Sequence, residues 1–431
     1  MNVRRAISLS FHHYKDACWG SDEVKNGSCE NWLDMGLTIV DSLDTLWLVN
    51  MKTEFKEGVE WVSTSLNLEK WQINVFEVTI RILGGLLSAY ALSHDIRLLG
   101  KAEDLGMRIL SSWTPESMPR NSGRMQTTYS LAEVGSLQLE FRYLSHLTNN
   151  TTLKRLAIAR PCWVYKQLFD QVRLHGVLTT RIDNYGGAVE RSGRGVGAGA
   201  DSFYEYILKT HLQDGRRFPC TYNLFRRARD EIRQRYMRSW DERTSYLIKV
   251  SPRNRVGHVM DHLDCFAPGM LALEYLTYRD ASVLADAEKL MEGCWKLYNV
   301  SSTVGVEGVN FGSKQLRISN PSNMLRPEVA ESLFYMHEAT DNEKYRALGT
   351  IMFSQFMIHS RFGTRHQGAF CSMRDTAKPS CDGKMESFWI AETLKYLWLL
   401  QRNRRINLDN WVFNTEAHMF PVVSNLGRCG C

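Results

Sequence analysis

The sequence predicts an all-α protein that folds as an (αα)7 barrel of paired inner and outer helices. A pattern of acidic opening, apolar helix, polar turn and amphipathic helix recurs at roughly 60-residue spacing, which gives about seven helix pairs. The first helix of each pair is apolar or small almost all round, as expected for a helix surrounded by other helices. An open superhelix would need polar repeats at its ends, and both terminal units are as apolar as the middle ones, so a closed barrel is favoured.

The predicted inner helices can be taken in chain order. They open with TIVDSLDTLWLV, VFEVTIRILGGLLSAY, LAEVGSLQLEFRYLSHL, GADSFYEYILKTHL, DHLDCFAPGMLALEYL, LRPEVAESLFYMHEAT and KMESFWIAETLKYLWLL. Gly84, Gly85 and Gly269 lie within these segments and predict close approach between neighbouring helices. The second helices, such as DIRLLGKAEDLGMRIL and SVLADAEKLMEGCWKLY, carry one apolar stripe and one charged face, which predicts an outer ring.

Composition narrows the possible classes of protein. The 431 residues are 44% hydrophobic and 11% aromatic, and no segment resembles a linker, so we predict a single barrel domain over residues 1–431. No window approaches the roughly 18 to 20 apolar residues of a membrane span, and we expect a soluble monomer that reaches a membrane only through a segment absent from this chain. The formal net charge is +6 and the arginine clusters lack interleaved aromatics, so no nucleic-acid partner is expected.

Cysteines and sequons bear on the compartment. The ten cysteines include no C-x-x-C pair and no Cys/His metal spacing, which argues against a redox centre or a zinc site. Asn-x-Ser/Thr triplets at Asn26, Asn149, Asn150 and Asn299 are compatible with a secreted or lumenal protein. The N-terminal residues contain no apolar signal core, so we expect either a targeting segment upstream or entry into the compartment by a route that the sequence does not show.

A glycine-rich segment, NYGGAVERSGRGVGAGA, covers residues 184–200. It has no G-K-[ST] and does not form a dinucleotide-binding fingerprint after a strand, so phosphate binding is not predicted. We interpret it as a loop that brings backbone close to the functional site.

Acidic residues recur at the starts of the predicted inner helices. They are Asp41, Asp44, Glu77, Glu133, Glu140, Asp201, Glu205, Asp264, Glu328, Glu331, Glu386 and Glu392. Helix capping explains any one of them. It does not explain Arg81 one turn below Glu77, or Arg326 two residues before Glu328. Parallel inner helices would gather these carboxylates at one mouth of the barrel. Such a cluster predicts a hard-cation site, or carboxyl pairs with shifted pKa values of the kind used in glycoside hydrolysis.

Eight collinear segments then resemble a known family. TIVDSLDTL, VFEVTIRILGGLLSAY, LAEVGSLQLEFRYLS, DSFYEYILK, HLDCF, LRPEVAES, MESFWIAETLKYLWLL and FNTEAH are similar, in order and across nearly the whole chain, to class I α-1,2-mannosidases of glycoside hydrolase family 47. The resemblance implies an (αα)7 catalytic barrel with Ca²⁺ at its base. It also implies hydrolysis with inversion, which removes terminal α-1,2-mannose from high-mannose N-glycans of glycoproteins.

The resemblance assigns roles to individual residues. It makes Glu77 the first candidate for the general acid, Glu328 the general base and Asp201 a third catalytic carboxylate, and it leaves open whether Glu77 or Asp201 donates the proton. The implied sugar-binding residues are Arg81, His262, Leu263, Arg326, Phe388 and Glu392. Thr415 is the implied Ca²⁺ ligand, and waters held by Glu140, Glu205, Glu331, Glu392 and Glu416 complete the shell.

The resemblance also implies a disulfide between Cys265 and Cys294, and hence an oxidising compartment, the lumen of the endoplasmic reticulum or of the Golgi. Spacing would allow Cys18 to pair with Cys29, and Cys371 with Cys381, but it cannot establish either bond.

Three residues depart from the family pattern. Gly199 stands where processing members carry Arg or Leu, which puts the choice of glycan branch in doubt. A proline usual near Glu307 is missing, and Met419 replaces another. Gly199 and the APG after HLDCF are similar to the endoplasmic-reticulum degradation-enhancing group. The alternative prediction is therefore a glycan-binding quality-control protein with weak or no turnover.

Overall fold

The computed structural model describes residues 2–70, 73–111, 127–148, 192–217, 219–362, 369–381, 383–403 and 405–423, with short runs between 150 and 189. Its helices are α1 (Val3–Cys18), α2 (Leu37–Leu48), α3 (Lys52–Thr64), α4 (Val75–Glu77, continued by the π-helical turn Val78–Leu83 and by Gly84–Ser93), α5 (Ile96–Ser111), α6 (Leu131–Gly135), α7 (Gln138–Leu147), α8 (Asp201–Gln213), α9 (Pro219–Glu231, continued by Ile232–Tyr236), α10 (Phe266–Tyr278, after the 3₁₀ turn His262–Cys265), α11 (Ala281–Asn299), α12 (Glu328–Thr340), α13 (Lys344–His359) and α14 (Leu394–Leu400, after the π-helical turn Trp389–Thr393).

The strands are short and all pair antiparallel. They are β1 (Glu23–Lys25), β2 (Ser28–Glu30), β3 (Thr128–Ser130), β4 (Arg181–Asp183), β5 (Met237–Ser239), β6 (Ser245–Leu247), β7 (Lys249–Val250), β8 (Val256–Gly257), β9 (Val259–Asp261), β10 (Gly308–Asn310), β11 (Arg317–Asn320), β12 (Arg361–Phe362), β13 (Ala369–Phe370), β14 (Lys384–Met385), β15 (Trp411–Phe413) and β16 (Met419–Pro421). The three-stranded sheets have the orders β14-β1-β2 and β11-β10-β9, and the remaining strands form two-stranded hairpins.

The inner helices form a closed ring. α2, α4, α7, α8, α10, α12 and α14 each contact the next, and the π-helical turn before α14 returns to α2. Outer helices pack on them: α3 on α2, α5 on α4, α9 on α8, α11 on α10, α13 on α12 and α1 on α14. The outer partner expected for α7 lies largely outside the described residues. This arrangement confirms the predicted all-α (αα)7 barrel.

Side-chain burial follows the predicted difference between the two rings. Every residue of α8 from Ser202 to Gln213 is buried, whereas α5 buries only one stripe that includes Leu98, Leu105 and Ile109. A Cβ on Gly85 would lie 2.8 Å from the carbonyl oxygen of Val40 in α2. The glycine therefore permits the close packing of α2 and α4 that the sequence predicted.

The hairpin of β15 and β16 inserts into the ring and contacts α4 and α8. Its tip, residues 414–418, is held by a buried set of charges that we call the anchor network: Asp41, Asp44, Lys395 and His418. The His418 ring lies 3.0 Å from a carboxylate oxygen of both Asp41 and Asp44, and Lys395 donates to Asp44 at 2.9 Å. The anchor network fixes the hairpin tip against α2 and α14.

The expectation that no segment of the chain approaches a membrane span was wrong. Among the described residues, the 19-residue stretch Val75–Ser93 is long and apolar enough to cross a membrane by length and composition alone. In the structure 72% of its most apolar window is buried inside the barrel. An inner helix surrounded by other helices needs the same all-round apolar surface as a membrane span, which is why the two are hard to separate by composition.

Three cysteine pairs are joined within the described chain. The disulfide between Cys265 and Cys294, which links the start of α10 to α11, agrees with the resemblance. Cys18 pairs with Cys29, and Cys371 pairs with Cys381.

Candidate active site

A cavity of about 390 Å³ opens among the N-terminal ends of the inner helices and the hairpin tip. The predicted site residues that line it are Glu77, Arg81, Asp201, Glu205, Leu263, Arg326, Glu328, Glu331, Phe388, Glu392, Thr415 and Glu416. His262 and Glu140 do not line it. His262 contacts Glu328, and Glu140 accepts hydrogen bonds from Tyr206 and Asn414. The structure therefore brings all of the predicted site residues except His262 and Glu140 together in one pocket.

Glu77 and Arg81 occupy the irregular start of α4. The Asn74 side chain accepts a hydrogen bond from the Glu77 N–H at 3.1 Å and caps this end of the helix. Arg81 donates from Nε to Glu77 at 2.8 Å and from a terminal nitrogen to Glu416 on the hairpin tip. The structure contains the i,i+4 ion pair between Glu77 and Arg81. Arg81 also links α4 to the hairpin at the pocket through Glu416.

Asp201 is the first residue of α8. The N–H groups of Ala200 and Asp201 both donate to the carbonyl oxygen of Gly197, which closes a tight turn before the helix. Burial raises the pKa of Asp201 to about 7, and the nearby Glu205, Glu328 and Asp261 carboxylates add to the rise, while the Ser202 N–H opposes it. A substantial fraction of Asp201 therefore carries a proton near neutral pH.

Glu328 is the first residue of α12 and is held from the side by His262. The His262 Nδ1 lies 2.8 Å from a Glu328 carboxylate oxygen, and the His262 N–H donates to the carbonyl of Glu307 at 3.0 Å. Glu307 also accepts a hydrogen bond from Arg326 Nε at 2.7 Å. These contacts orient both Glu328 and Arg326 toward the pocket.

Sequence reasoning missed Lys209, which is buried one turn below Glu205. Its Nζ donates to Glu205 at 2.6 Å and lies 3.6 Å from a carboxylate oxygen of Glu331. The signal was present, because Glu205 and Lys209 have the same i,i+4 spacing as Glu77 and Arg81. Lys209 keeps two carboxylates close together in the barrel interior.

A second residue that was missed is Asn414 at the hairpin tip. Its side-chain oxygen accepts hydrogen bonds from the N–H groups of Glu416 and His418, and its amide group donates to Glu140 at 2.8 Å. A Cβ on Gly84 would lie 2.7 Å from the Asn414 nitrogen, so the glycine of α4 makes room for the tip.

Acidic side chains outnumber bases around the hairpin tip. We call Glu205, Glu331, Glu392 and Glu416 the acidic cluster. Burial and the neighbouring Glu205 raise the pKa of Glu331 to about 8. Burial also raises the pKa of Glu416 to about 8, with Arg81 opposing the rise and Asp41 and Glu77 adding to it. Burial is the main cause of both pKa shifts, and the neighbouring carboxylates add to it.

The donor set fits a hard cation. Thr415 offers a hydroxyl and a carbonyl oxygen beside Glu205, whose carboxylate accepts a hydrogen bond from the Thr415 hydroxyl at 2.9 Å. Glu140 Oε2 is buried without a hydrogen-bond partner, as expected for an oxygen that would hold a water of a metal shell. Within the described chain, no group of three or more His, Cys, Asp or Glu side chains could coordinate a metal directly. Oxygen ligands and bound waters are what Ca²⁺ prefers.

Some of the acids singled out from the sequence serve other purposes. Glu133 forms a capping box with Ser130 and also lines the pocket, and Asp264 forms a capping box with Asp261. Glu386 lies 2.8 Å from Lys384, away from the pocket lining. Each of these acids, like the two in the anchor network, forms a helix cap or an ion pair within the protein.

Comparison with known proteins identifies the family. The model of glycosyl hydrolase family 47 matches residues 6–422. The chain belongs to this family. It is 35% identical over 444 residues to the human endoplasmic reticulum mannosyl-oligosaccharide 1,2-alpha-mannosidase, covering 95% of this chain and 62% of that protein. It is 33% identical to a mannosyl-oligosaccharide 1,2-alpha-mannosidase of Arabidopsis thaliana, covering 98% of this chain and 78% of that protein.

The fold of family 47 is confirmed by a solved structure. The alpha-1,2-mannosidase from Trichoderma reesei superposes with a TM-score of 0.85 at 24% identity, and 98% of each chain is covered. Within this family 47 chain, Gly199 lines the pocket and has a positive φ of 83°. A Cβ there would lie 3.6 Å from the Ser130 Cβ, so the missing side chain leaves the pocket wall open beside Asp201.

Proposed function

We propose that this protein is a Ca²⁺-dependent, inverting exo-α-1,2-mannosidase that trims terminal mannose from high-mannose N-glycans of glycoproteins. The observation that carries the proposal is the convergence of Glu77, Asp201 and Glu328 in one pocket with two arginines and Phe388. The names of the human and Arabidopsis relatives support the choice of substrate.

In the proposed reaction, Asp201 is the proton donor to the glycosidic oxygen. Its raised pKa supports this role, because a donor must hold its proton at the working pH. Glu77 accepts a hydrogen bond from Arg81 Nε at 2.8 Å, and this contact supports a role for Glu77 in ordering the site and its water. The electrostatics thus favour Asp201 between the two donors that the sequence left open.

Glu328 is the proposed general base that activates water, and His262 fixes the direction of its carboxylate. Phe388 lies with its ring centroid 5.9 Å from the Arg81 guanidinium and supplies an aromatic face for the sugar. Thr415 would hold the Ca²⁺ ion, and Glu140 with the acidic cluster would hold its waters. When bound, the ion supplies an electrostatic contact to sugar hydroxyls that helps to fix and distort the ring.

The compartment is proposed to be the lumen of the secretory pathway. The disulfides at Cys18, Cys265 and Cys371 need an oxidising environment to persist, and the human relative is named for the endoplasmic reticulum.

Incubation with a nine-mannose N-glycan, with and without a Ca²⁺ chelator, tests the proposal by the masses of the products. We expect stepwise loss of mannose that stops after chelation and returns when Ca²⁺ is added. Release that continues after thorough chelation would contradict the metal requirement. Binding of the glycan without release by the wild-type protein would favour the quality-control alternative.

The stereochemical outcome is tested separately by NMR of the first sugar released. Inversion of an α-linkage gives β-mannose before mutarotation, whereas a double displacement gives α-mannose. Early appearance of the α-anomer would overturn the inverting assignment and leave the hydrolytic activity itself intact.

A further inference from the structure

Residues 192–200 of the glycine-rich segment, which precede Asp201, pack on a partly buried group of charges outside the pocket lining. A Cβ on Gly195 would lie 3.4 Å from the Lys249 side chain, and a Cβ on Gly197 would overlap Asp264 Oδ1 and lie 3.4 Å from Asp261 Oδ1. At each glycine, the absence of a side chain lets the backbone lie directly against Lys249 or against the two aspartates.

Lys249, Asp261 and Asp264 form one connected group. Lys249 Nζ pairs with Asp261 Oδ2 and lies 3.4 Å from Asp264 Oδ2. Asp264 Oδ2 accepts the Asp261 N–H at 2.9 Å, and the Asp261 side chain accepts the Asp264 N–H in return. Asp264 is fully buried, and one oxygen of each aspartate is buried without a hydrogen-bond partner.

This group touches the supports of both catalytic carboxylates. Gly197, which lies against Asp264, accepts the N–H groups of Ala200 and Asp201 and so forms the turn that starts α8. On the other side, Asp261 is followed directly by His262, whose ring contacts Glu328 at 2.8 Å. Movement of the aspartates would therefore displace Asp201 through Gly197 and Glu328 through His262.

We propose that Lys249, Asp261 and Asp264 are positioning residues that fix the relative placement of Asp201 and Glu328. Lys249 holds the two aspartates together against their mutual repulsion, and the glycines let the segment before Asp201 lie directly on them. The roles given to Asp201 and Glu328 rest on the proposed function, whereas the mechanical link between them does not.

Charge-removing and charge-keeping variants of Lys249 test the proposal in the Ca²⁺-loaded protein. Misplacement of catalytic groups by about 1 Å costs on the order of 100-fold in rate, so Lys249→Met is expected to lower kcat by about 10- to 100-fold. KM should change less than kcat, because misplacement of Asp201 and Glu328 acts on the chemical step, and Lys249→Arg should recover most of kcat. Lys344→Met removes an exposed lysine paired with Glu292 on the outer ring and serves as the matched control.

A double-mutant cycle tests the contact between Gly197 and Asp264. Gly197→Ala should lower kcat because the new Cβ meets the carboxylate, and the same change in an Asp264→Ala background should cost much less. Additive effects of the two substitutions would overturn the contact. Equal loss of kcat in Lys249→Arg and Lys249→Met would also overturn the proposal.

Hydrogen exchange separates this inference from the proposed function, because it needs no turnover. Lys249→Met should speed exchange both in residues 198–205 and in residues 328–334, with no change at residues 344–359. Faster exchange confined to residues 249–257 would show a local role only and overturn the link. The proposed function itself stands or falls on mannose release by the wild-type protein.

Discussion

Two groups of buried charges meet at the hairpin tip, and they differ in balance. The anchor network sets two acids, Asp41 and Asp44, against Lys395 and His418. Serine hydroxyls of Ser88 and Ser387 also donate to these aspartates. The acidic cluster on the other side of the tip has four glutamates, and Lys209 and Arg81 are the bases that contact them in the described chain.

The difference separates a structural site from a binding site. A balanced and hydrogen-bonded set of buried charges is costly to break, because removal of one partner leaves an uncompensated charge. A set with excess negative charge destabilises the folded protein. Binding of a cation or protonation of a carboxylate relieves that repulsion and stabilises the protein. We therefore expect changes in the anchor network to act on folding, and changes at the pocket to act on turnover.

The largest effect should come from Glu328→Gln. Loss of the proposed general base is expected to lower kcat by about 10³-fold or more and to leave glycan binding and melting temperature nearly unchanged. Initial rates of mannose release, glycan binding by calorimetry and thermal unfolding measure the three quantities. Glu60→Gln, on an exposed glutamate paired with Arg97, is the control. Retention of full activity by Glu328→Gln would remove it as the base.

Lys395→Met should instead lower the free energy of unfolding. It leaves Asp44 and the carbonyl of Ala417 without the buried ammonium that now contacts both. Breaking a buried pair of this kind costs about 3 to 5 kcal/mol, measured as the free energy of unfolding in denaturant. Lys344→Met, which breaks an exposed pair, should cost about 1 kcal/mol or less. Equal costs for the two lysines would erase the contrast between the buried and exposed pairs.

The pH dependence should follow Asp201. If its proton is required, kcat/KM should fall about tenfold for each pH unit above about 7. Because the pKa of Asp201 in the folded protein, about 7, exceeds the ordinary aspartate value of 3.8, Asp201 holds its proton more tightly in the folded state. Its contribution to stability is therefore complete below about pH 4 and declines as the pH rises to about 7. A rate that stays flat to pH 9 would return the donor role to Glu77.

The smallest effect should come from Gly199→Ala. An L-residue in this left-handed conformation is strained by about 1 kcal/mol, and the methyl group would meet Ser130. We expect a slightly lower melting temperature and a changed order of mannose removal, read by mass spectrometry of the intermediates. Gly100→Ala, at a helical glycine with open space around it, should be neutral or stabilising. An unchanged order of removal would show that this wall does not select the branch.

Local spacing predicted the elements that depend on near neighbours. The ring of inner helices, the close approach at Gly85 and the pair of Glu77 with Arg81 all follow from helical periodicity. The same reasoning could have found Lys209, since it repeats that spacing with Glu205. It failed for Val75–Ser93, where the apolar surface that suits a barrel interior also suits a lipid environment.

Contacts between distant parts of the chain were beyond such reasoning. His262 and Glu328 meet across 66 residues, and Asn414 reaches Glu140 across 274. No periodicity specifies which of the acids will meet at the tip of the hairpin, so family resemblance had to supply that grouping. The anchor network was missed for the same reason. Nothing near His418 or Lys395 in the sequence indicates that they contact Asp41 and Asp44, which are more than 300 residues away.

The hairpin also sets an order of events during biosynthesis. A ribosome makes Glu77 early and Thr415 only after more than 300 further residues. The hairpin tip is therefore missing from the pocket until most of the barrel helices have been synthesised. Late, non-local contacts of this kind form slowly because a long loop must first close. An incomplete chain therefore lacks part of the proposed sugar site, and Ca²⁺ binding to nascent chains stalled before Trp411 and after Pro421 would report when the proposed site is completed.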